Sequence, residues 1–196
     1  LKLYGLLNLA GKSQFDYILF VCMLMCLYTC SLNEINILKL KLWHVDSEYS
    51  YYLRYTTTLL ETENRIIAYY SLADDLLNIS DRQDFADEME DCRDKIEFDF
   101  WERFLNQKMY PAAKIGRLSV DKNFQDQGIG TFLIRSLVQS FIRKNKTGCQ
   151  FITVDAINDN TRRTIKFYEH NGFKYLTMND VNKESGQMYK SLLEYI

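Results

Sequence analysis

A turn with two closely spaced glycines carries the clearest chemical signal in the sequence. It reads QDQGIG over Gln125–Gly130 and is followed by Thr131. The preceding segment, Lys114–Val120, has the composition of a strand, and a run with helical spacing follows. Glycines leave backbone N–H groups accessible, and at a helix N-terminus these groups and the helix dipole favour a phosphate. The pattern predicts a pyrophosphate-binding turn, although a glycine-containing loop into a core helix is the simpler alternative. A dinucleotide fingerprint is excluded because it needs a third glycine.

A second segment with functional potential, Phe167–Phe173 (FYEHNGF), lies about 40 residues further on. A strand pattern, Phe151–Ala156, lies between the two segments, and Thr161–His170 has the spacing of a helix that ends at Asn171-Gly172. The phenol of Tyr168, with an ordinary pKa near 10, could protonate a leaving group within hydrogen-bond reach. The alternative is that Tyr168 packs in the core with its hydroxyl satisfied.

Together the two segments resemble the signatures of the GNAT N-acetyltransferase superfamily. Gln125-x-x-Gly128-x-Gly130 is similar to its Q/R-x-x-G-x-G/A motif, and FYEHNGF is similar to its FYEKxGF motif. The similarity covers roughly Thr56–Ile196. It implies an α/β (α+β) fold with a mixed, mostly antiparallel twisted sheet flanked by helices, and a helical insert between the third and fourth strands.

The resemblance also implies roles for individual residues in binding acetyl-CoA and in direct acetyl transfer to a primary amine. The backbone of Leu118, Ser119 and Val120 would pair with the pantetheine arm. Tyr168 would act as the general acid. The pyrophosphate would be held by Gln125, Asp126, Gln127, Gly128, Ile129, Gly130 and Thr131.

Two positions depart from the family pattern and leave parts of the site open. The family often has Asn seven residues before the motif tyrosine, where this chain has Thr161, so the neighbouring Asn160 becomes the candidate cofactor contact. An Ala three residues later is replaced by Thr164. The general base is not identified by the sequence, since Glu61, Tyr70 and an ordered water are all candidates.

The remaining patterns predict the elements around these segments. Tyr55–Glu61 and Arg65–Ala73 read as a β-hairpin, and Phe173–Met178 and Met188–Glu194 as a closing antiparallel pair. Between them, Asp81–Lys108 reads as one amphipathic helix stopped by Pro111. Its apolar positions fall at spacings of three and four, at Phe85, Met89, Cys92, Ile96 and Phe100.

Composition is that of an ordinary globular domain, with 47% apolar and 26% charged residues and a net charge of −2. Asp74–Asp99 has 11 acidic residues against 3 basic ones, whereas residues 114–196 have 13 basic against 8 acidic. The five cysteines include no CxxC pair, and there are only two histidines, so we expect reduced thiols, a cytoplasmic protein and no metal site.

The first third of the sequence contains one long apolar run, Tyr17–Cys30, and no match to the resembled family. At 14 residues the run is short of the ~20 that cross a bilayer. A buried helix, a membrane or export segment and a misassigned gene start stay open as interpretations. We therefore divide the chain into an uncertain segment, residues 1–45, and an acetyltransferase domain, residues 46–196.

A more specific resemblance concerns Gly116–Asp121 (GRLSVD), which is similar to the GRLAVD stretch of GNAT toxins of toxin–antitoxin pairs. It implies an aminoacyl-tRNA acceptor and, as partners, tRNA or an antitoxin. The acidic predicted insert argues against that acceptor, because proteins bind tRNA mainly through basic residues that contact its phosphates. The basic residues Arg162, Arg163 and Lys166 favour it. A general amine acceptor and a non-catalytic acyl-CoA-binding module are the other interpretations. No membrane association is expected, and a homodimer is compatible with all three.

Overall fold

The structure is a mixed seven-stranded sheet with helices on both faces. The computed structural model describes residues 41–45, 56–62, 65–80, 82, 84–144 and 147–195. The apolar run at residues 17–30 lies outside the described residues. The strands are β1 (Lys41–Val45), β2 (Thr56–Thr62), β3 (Arg65–Asn78), β4 (Met109–Val120), β5 (Phe151–Ile157), β6 (Lys174–Tyr175) and β7 (Ser185–Ser191).

The strand order β1-β2-β3-β4-β5-β7-β6 makes the sheet antiparallel except at one pair. Strands β4 and β5 run parallel, and the helix that connects them is the crossover that a parallel pair requires. The predicted hairpin is confirmed as β2–β3, and the predicted closing pair as β6–β7. The predicted fold class, mixed and mostly antiparallel with a helical insert between the third and fourth strands, is confirmed.

Four α-helices accompany the sheet in the described part of the chain: α1 (Phe85–Met89), α2 (Phe98–Leu105), α3 (Ile129–Lys144) and α4 (Arg163–His170). Helices α1 and α2, with the 3₁₀ turn Glu90–Lys95 between them, form the insert. None of the helices within the described ranges is long and apolar enough to cross a membrane. Cys92 and Cys149, the two cysteines among the described residues, are both buried.

The insert corrects the prediction of one continuous helix over Asp81–Lys108. The chain turns extended at Ile96 and Glu97, so α2 starts afresh with a different face toward the core. Phe100, predicted to be buried, is 57% exposed, whereas Trp101 and Phe104 are buried in its place. Pro111 does not end the helix, because it lies within strand β4.

Each face of the sheet carries its own hydrophobic core. One core lies under α3 and α4 and includes Ile115, Leu133 and Val154. The other lies under the insert, where Phe104 and Phe85 pack around Tyr110 and Phe151 with ring centroids 4.8–6.5 Å apart. The insert is therefore a packed layer of the domain rather than an appended loop.

A charged cluster also ties the insert to the sheet. The Arg82 guanidinium donates to Glu88 Oε2 at 2.7 Å and to the Tyr189 hydroxyl at 2.7 Å. Lys174 Nζ lies 2.9 Å from Glu88 Oε1. Burial alone would raise the pKa of Glu88, but its contacts with Tyr189, Lys174 and Arg82 hold that pKa below its usual value. The cluster therefore favours the ionised carboxylate in the folded state.

Glu88→Gln should lower the free energy of unfolding by about 1–3 kcal/mol at pH 7, because it replaces a charged acceptor of the largely buried Arg82 side chain and of Lys174. Since folding lowers the pKa of Glu88, its contribution is present above the unfolded value of about 4.3 and lost as the pH falls through the folded value. Urea denaturation of the wild type between pH 7 and 3 should therefore show a steeper loss than that of the variant. Glu90→Gln, in an exposed pair with Arg93, is the control and should change stability little. Parallel pH curves for Glu88→Gln and the wild type would contradict this assignment.

Candidate functional site

The central feature of the site is a gap between strands β4 and β5. Their parallel pairing runs from Ala112–Phe151 to Ile115–Val154 and stops there. Beyond it, β4 continues along β3 as far as Val120, and β5 continues along β7 as far as Ile157. The β4 edge that faces β5 thus has no strand partner from residue 116 to 120 among the described residues.

A β-bulge marks the place where the strands separate. Ser71 pairs with Arg117 and the next residue, Leu72, pairs with Ile115, so Gly116 is the extra residue. Bulges bend the strand that carries them and recur next to active sites. The bend directs the last residues of β4, including the predicted Leu118, Ser119 and Val120, away from β5 and toward the turn.

The turn after β4 is held by side chains that reach back to it. Asp121 accepts from the Asn123 backbone N–H at 2.9 Å and from Arg65 at 2.7 Å. These two donors, the backbone one first, hold the pKa of Asp121 below its usual value. Gln125 donates through its side-chain amide to the Val120 carbonyl at 3.0 Å. The side chain of Gln125 therefore fixes the turn to the end of the strand, which is a role that the sequence did not predict.

The two glycines of the turn serve different purposes. Gly128 has φ +80°, a left-handed conformation that favours glycine. Gly130 stands at the start of α3, where a Cβ would lie 2.8 Å from Cε2 of Phe167. The space predicted to admit a ligand at Gly130 is thus taken by the aromatic ring of α4. Gly130 brings the two helices together, and the turn presents its backbone at Gly128.

The start of α3 supplies the donors for an anion. The first helical N–H with an i−4 acceptor is that of Phe132, which donates to the Gly128 carbonyl at 2.9 Å. The N–H groups of Ile129, Gly130 and Thr131 precede it and have no acceptor within the helix. The Ile129 side chain itself is buried in the core. Only its backbone can therefore contact a ligand.

The turn also contains a carboxylate, which a phosphate-binding site must neutralise. Asp126 has φ +61°, and its two oxygens accept from one nitrogen of Arg163 at 2.7 and 2.9 Å. Arg163 is the first residue of α4, 37 positions along the chain. This bridge was not predicted, because nothing local in the sequence pairs the two residues. With the Gly130–Phe167 contact it fixes α4 against the turn.

Tyr168 follows Phe167 in α4 and lies in the core that α3 and α4 cover. Its ring makes edge contacts with Phe167 and Phe173, with centroids 5.1 and 5.2 Å apart. Burial raises its pKa to about 12. Its hydroxyl has no hydrogen-bond partner among the described residues. The ring thus packs in the core, as the alternative predicted, but the hydroxyl is not satisfied by a described residue, and at neutral pH it keeps its proton.

The other predicted residues lie at varied distances from this arrangement. Asn160 is exposed in the turn before α4, which is organised by Asp159 accepting from Thr161 Oγ1 at 2.7 Å. Tyr70 is buried in β3 opposite Leu118, and burial raises its pKa, against the effect of a hydrogen bond with Thr58. A raised pKa makes Tyr70 a poor base. Glu61 is half-buried in β2, two strands from β4.

The geometry can bind an extended, anionic ligand with its arm along β4 and its charged end at the turn. The described residues contain no group of three or more His, Cys, Asp or Glu that could hold a metal ion. The sequence did not predict the contacts that Phe167 and Arg163 make with the turn. Both belong to the helix that carries Tyr168, so the position of the candidate acid depends on the turn.

Gly130→Ala should destabilise the protein by about 1–3 kcal/mol, because the new Cβ displaces the ring of Phe167. Phe167→Leu in the same background should recover part of that loss by removing the clash. Chemical denaturation of the wild type, both single variants and the double variant measures the coupling. Additive effects of the two substitutions would show that the helices do not depend on this contact.

Part of the sequence matches a known protein family. Residues 91–175 match a family model described as the acetyltransferase (GNAT) domain, and this range contains both the turn and Tyr168. No curated protein matches the sequence of the chain.

Several solved structures share the fold. AtaT complexed with acetyl-methionyl-tRNAfMet superposes with a TM-score of 0.53 at 16% identity, over 78% of this chain and 94% of that one. A tyrosine-to-phenylalanine mutant of KacT superposes with a TM-score of 0.55 at 16% identity, over 80% of this chain and 98% of that one. A mutant of the AtaT toxin bound to the C-terminus of the antitoxin AtaR and acetyl-CoA superposes with a TM-score of 0.54 at 13% identity, over 79% of this chain and 94% of that one. At these identities the similarity establishes the fold alone. The match of residues 91–175 to the GNAT acetyltransferase domain model covers less than half of the chain, and it shows a similarity to that family over this part.

Proposed function

We propose that the protein is an N-acetyltransferase that moves an acetyl group from acetyl-CoA to a primary amine by direct transfer. The observation that carries the proposal is the unpaired edge of β4 leading into the turn at Gly128. An extended pantetheine arm could add to that edge as a strand would, through Leu118, Ser119 and Val120. The pyrophosphate would meet the N–H groups of residues 128–131 at the positive end of α3.

Direct transfer needs a proton donor for the departing sulfur. The amine nitrogen attacks the thioester carbonyl, the tetrahedral intermediate collapses, and the C–S bond breaks. We assign the proton that the thiolate takes to the Tyr168 hydroxyl, and the amine loses one proton to a base or to water. Because burial raises the pKa of Tyr168 to about 12, this hydroxyl stays protonated at neutral pH, as a donor must. Because its pKa is raised, Tyr70 is disfavoured as the general base, and Glu61 and a water remain as candidates.

Tyr168→Phe should lower kcat by about 10²-fold or more and leave the Kd for acetyl-CoA unchanged, because only the proton donor is removed. Turnover on a panel of amines and isothermal titration with acetyl-CoA measure the two effects. Tyr175→Phe is the matched control, since the Tyr175 hydroxyl is buried and lacks a partner among the described residues. A kcat unchanged in Tyr168→Phe would return Tyr168 to core packing. Acetyl-CoA binding without transfer to any amine would instead favour the non-catalytic module.

The neutralised carboxylate of the turn gives a test of cofactor binding. Arg163→Ala should raise the Kd for acetyl-CoA about 5-fold or more at low salt, because the charge of Asp126 then repels the phosphates. Asp126→Ala in the same background should restore affinity. Arg162→Ala is the control, as its nearest carboxylate is 3.7 Å away on Glu169. If affinity stays low in the double variant, Arg163 contacts the ligand itself.

An aminoacyl-tRNA acceptor is the second candidate, and the placement of basic residues favours it. Arg117 is exposed on β4, Arg162 directly before α4, and Lys166 on α4. Arg117 has no ion pair among the described residues. Exposed cations of this kind supply the phosphate contacts on which RNA affinity depends. The similar AtaT structure contains acetyl-methionyl-tRNA, and another contains an antitoxin segment.

The same Tyr168→Phe variant separates the two acceptors. For a tRNA-directed toxin, expression of the wild type should arrest growth, the variant should not, and purified protein should acetylate aminoacyl-tRNA. Normal growth on expression of a protein that acetylates small amines would instead support a general acetyltransferase and argue against a toxin. A small antitoxin-like reading frame upstream of the gene would favour the toxin.

A further inference from the structure

A groove that shares only Thr131 with the candidate acetyl-CoA site runs along α3. It has a volume of about 580 Å³, within the range of small-molecule sites. Its walls are α3 from Thr131 to Arg143, the end of α4 at His170–Gly172, and the last residues of the described chain after β7. Because α3 runs from the turn toward its own C-terminus along this wall, most of the groove extends away from the gap between β4 and β5.

A buried lysine forms part of the groove wall. Lys190, in β7, is only 5% exposed, yet among the described residues no oxygen accepts a hydrogen bond from its ammonium. The nitrogen lies 5.1 Å from the centre of the Tyr195 ring. It also lies 2.5 Å from the position of a Cβ at Gly172, whose φ of +79° favours glycine. The end of the α4 dipole and the aromatic ring stabilise the charge, but neither accepts its three N–H bonds.

The other polar groups of the groove are mainly hydrogen-bond donors and cations. Arg135, Arg143 and His170 line it, with Glu194 as the single carboxylate among the lining residues. Both arginines also make contacts within the protein. The Ser136 hydroxyl, which lines the groove too, is buried without a partner. A buried ammonium and a buried hydroxyl are costly to leave unpaired, so a ligand with several acceptor oxygens and negative charge would satisfy both.

We propose that this groove is a second anion site, which binds a phosphorylated small molecule through Lys190 and Ser136. Phosphate fits better than a single carboxylate, because the donors lie on two elements, α3 and β7, and a phosphate presents three or more acceptor oxygens around one centre. Ile134, Val138 and Tyr195 offer an apolar wall for the rest of the molecule. Thr131 is the one residue shared with the candidate pyrophosphate turn, so the two sites are adjacent but separate.

The test is a titration of inorganic pyrophosphate into protein saturated with acetyl-CoA, which blocks the turn. Isothermal titration or ³¹P line broadening at 150 mM salt should show one saturable site in the wild type. Lys190→Met, which keeps an unbranched side chain of similar length, should weaken binding at least tenfold, and Ser136→Ala about threefold. Lys108→Met, at an exposed site outside the groove, should bind as the wild type does.

Other outcomes overturn the proposal. Equal binding by the wild type and Lys190→Met, or several weak sites in both, would mean nonspecific attraction to surface cations. Lys190→Met could instead lose affinity for acetyl-CoA to the same extent but keep its affinity for 3′-dephospho-CoA. That result would show that the groove binds the 3′-phosphate of the cofactor itself. Circular dichroism checks that Lys190→Met is folded, and if it is not, Ser136→Ala and Lys190→Arg decide the question. In that case, weaker pyrophosphate binding by Ser136→Ala together with retained binding by Lys190→Arg supports the site. Equal affinity in these two variants contradicts it.

Discussion

The rest of the site depends on the loss of pairing between β4 and β5 after Ile115 and Val154. A sheet can tolerate such a gap only if each strand is held on its other edge. Here β3 pairs with β4 as far as Val120, and β7 pairs with β5 as far as Ile157. The unpaired N–H and C=O groups that result would be costly in a buried edge. In a gap that opens to a ligand, they become binding groups.

The candidate catalytic residue is positioned by the same region rather than by a separate framework. The turn after β4 meets α4 at two points, the close approach of Gly130 to Phe167 and the pair of Asp126 with Arg163. Tyr168 is the next residue after Phe167, and Phe173 holds its ring from the other side. A ligand bound at the turn would therefore also lie close to the helix that carries the candidate proton donor. This coupling through packed contacts explains why a glycine at position 130 matters although it leaves no room for a ligand.

Local sequence patterns were sufficient where an element buries one continuous face. The helical spacing of Ile129, Phe132, Leu133, Leu137, Phe141 and Ile142 predicted α3. The first four are buried, and the last two are partly buried against the same core. The same use of apolar spacing gave a wrong prediction for the insert. The apolar residues from Phe85 to Phe100 fit one helix only if the backbone stays helical at Ile96, which it does not. Packing of Trp101 and Phe104 onto the sheet outweighs that local preference, and such contacts with Tyr110 and Phe151 are invisible to periodicity. The Asp126–Arg163 pair escaped prediction for the same reason, whereas the turn was recognisable because its glycines and the following helix are adjacent in the chain.

The bulge at Gly116 also determines which side chains the end of β4 presents. Without an extra residue, the side chains of 115, 117 and 119 would share one face of the sheet. Instead Ile115, Leu118 and Val120 all pack against the core under α3 and α4. Arg117 and Ser119 are thereby turned to the opposite face, where both are exposed. One inserted residue thus separates the strands, keeps the apolar side chains in the core, and places a cation at the mouth of the gap on the side away from α4. Under the proposed transfer, the acceptor would approach the thioester at Arg117 and Ser119, where this face is exposed, because α3 and α4 cover the other face. Arg117, which is exposed there and has no ion pair among the described residues, would then lie close to an acceptor attached to a polyanion.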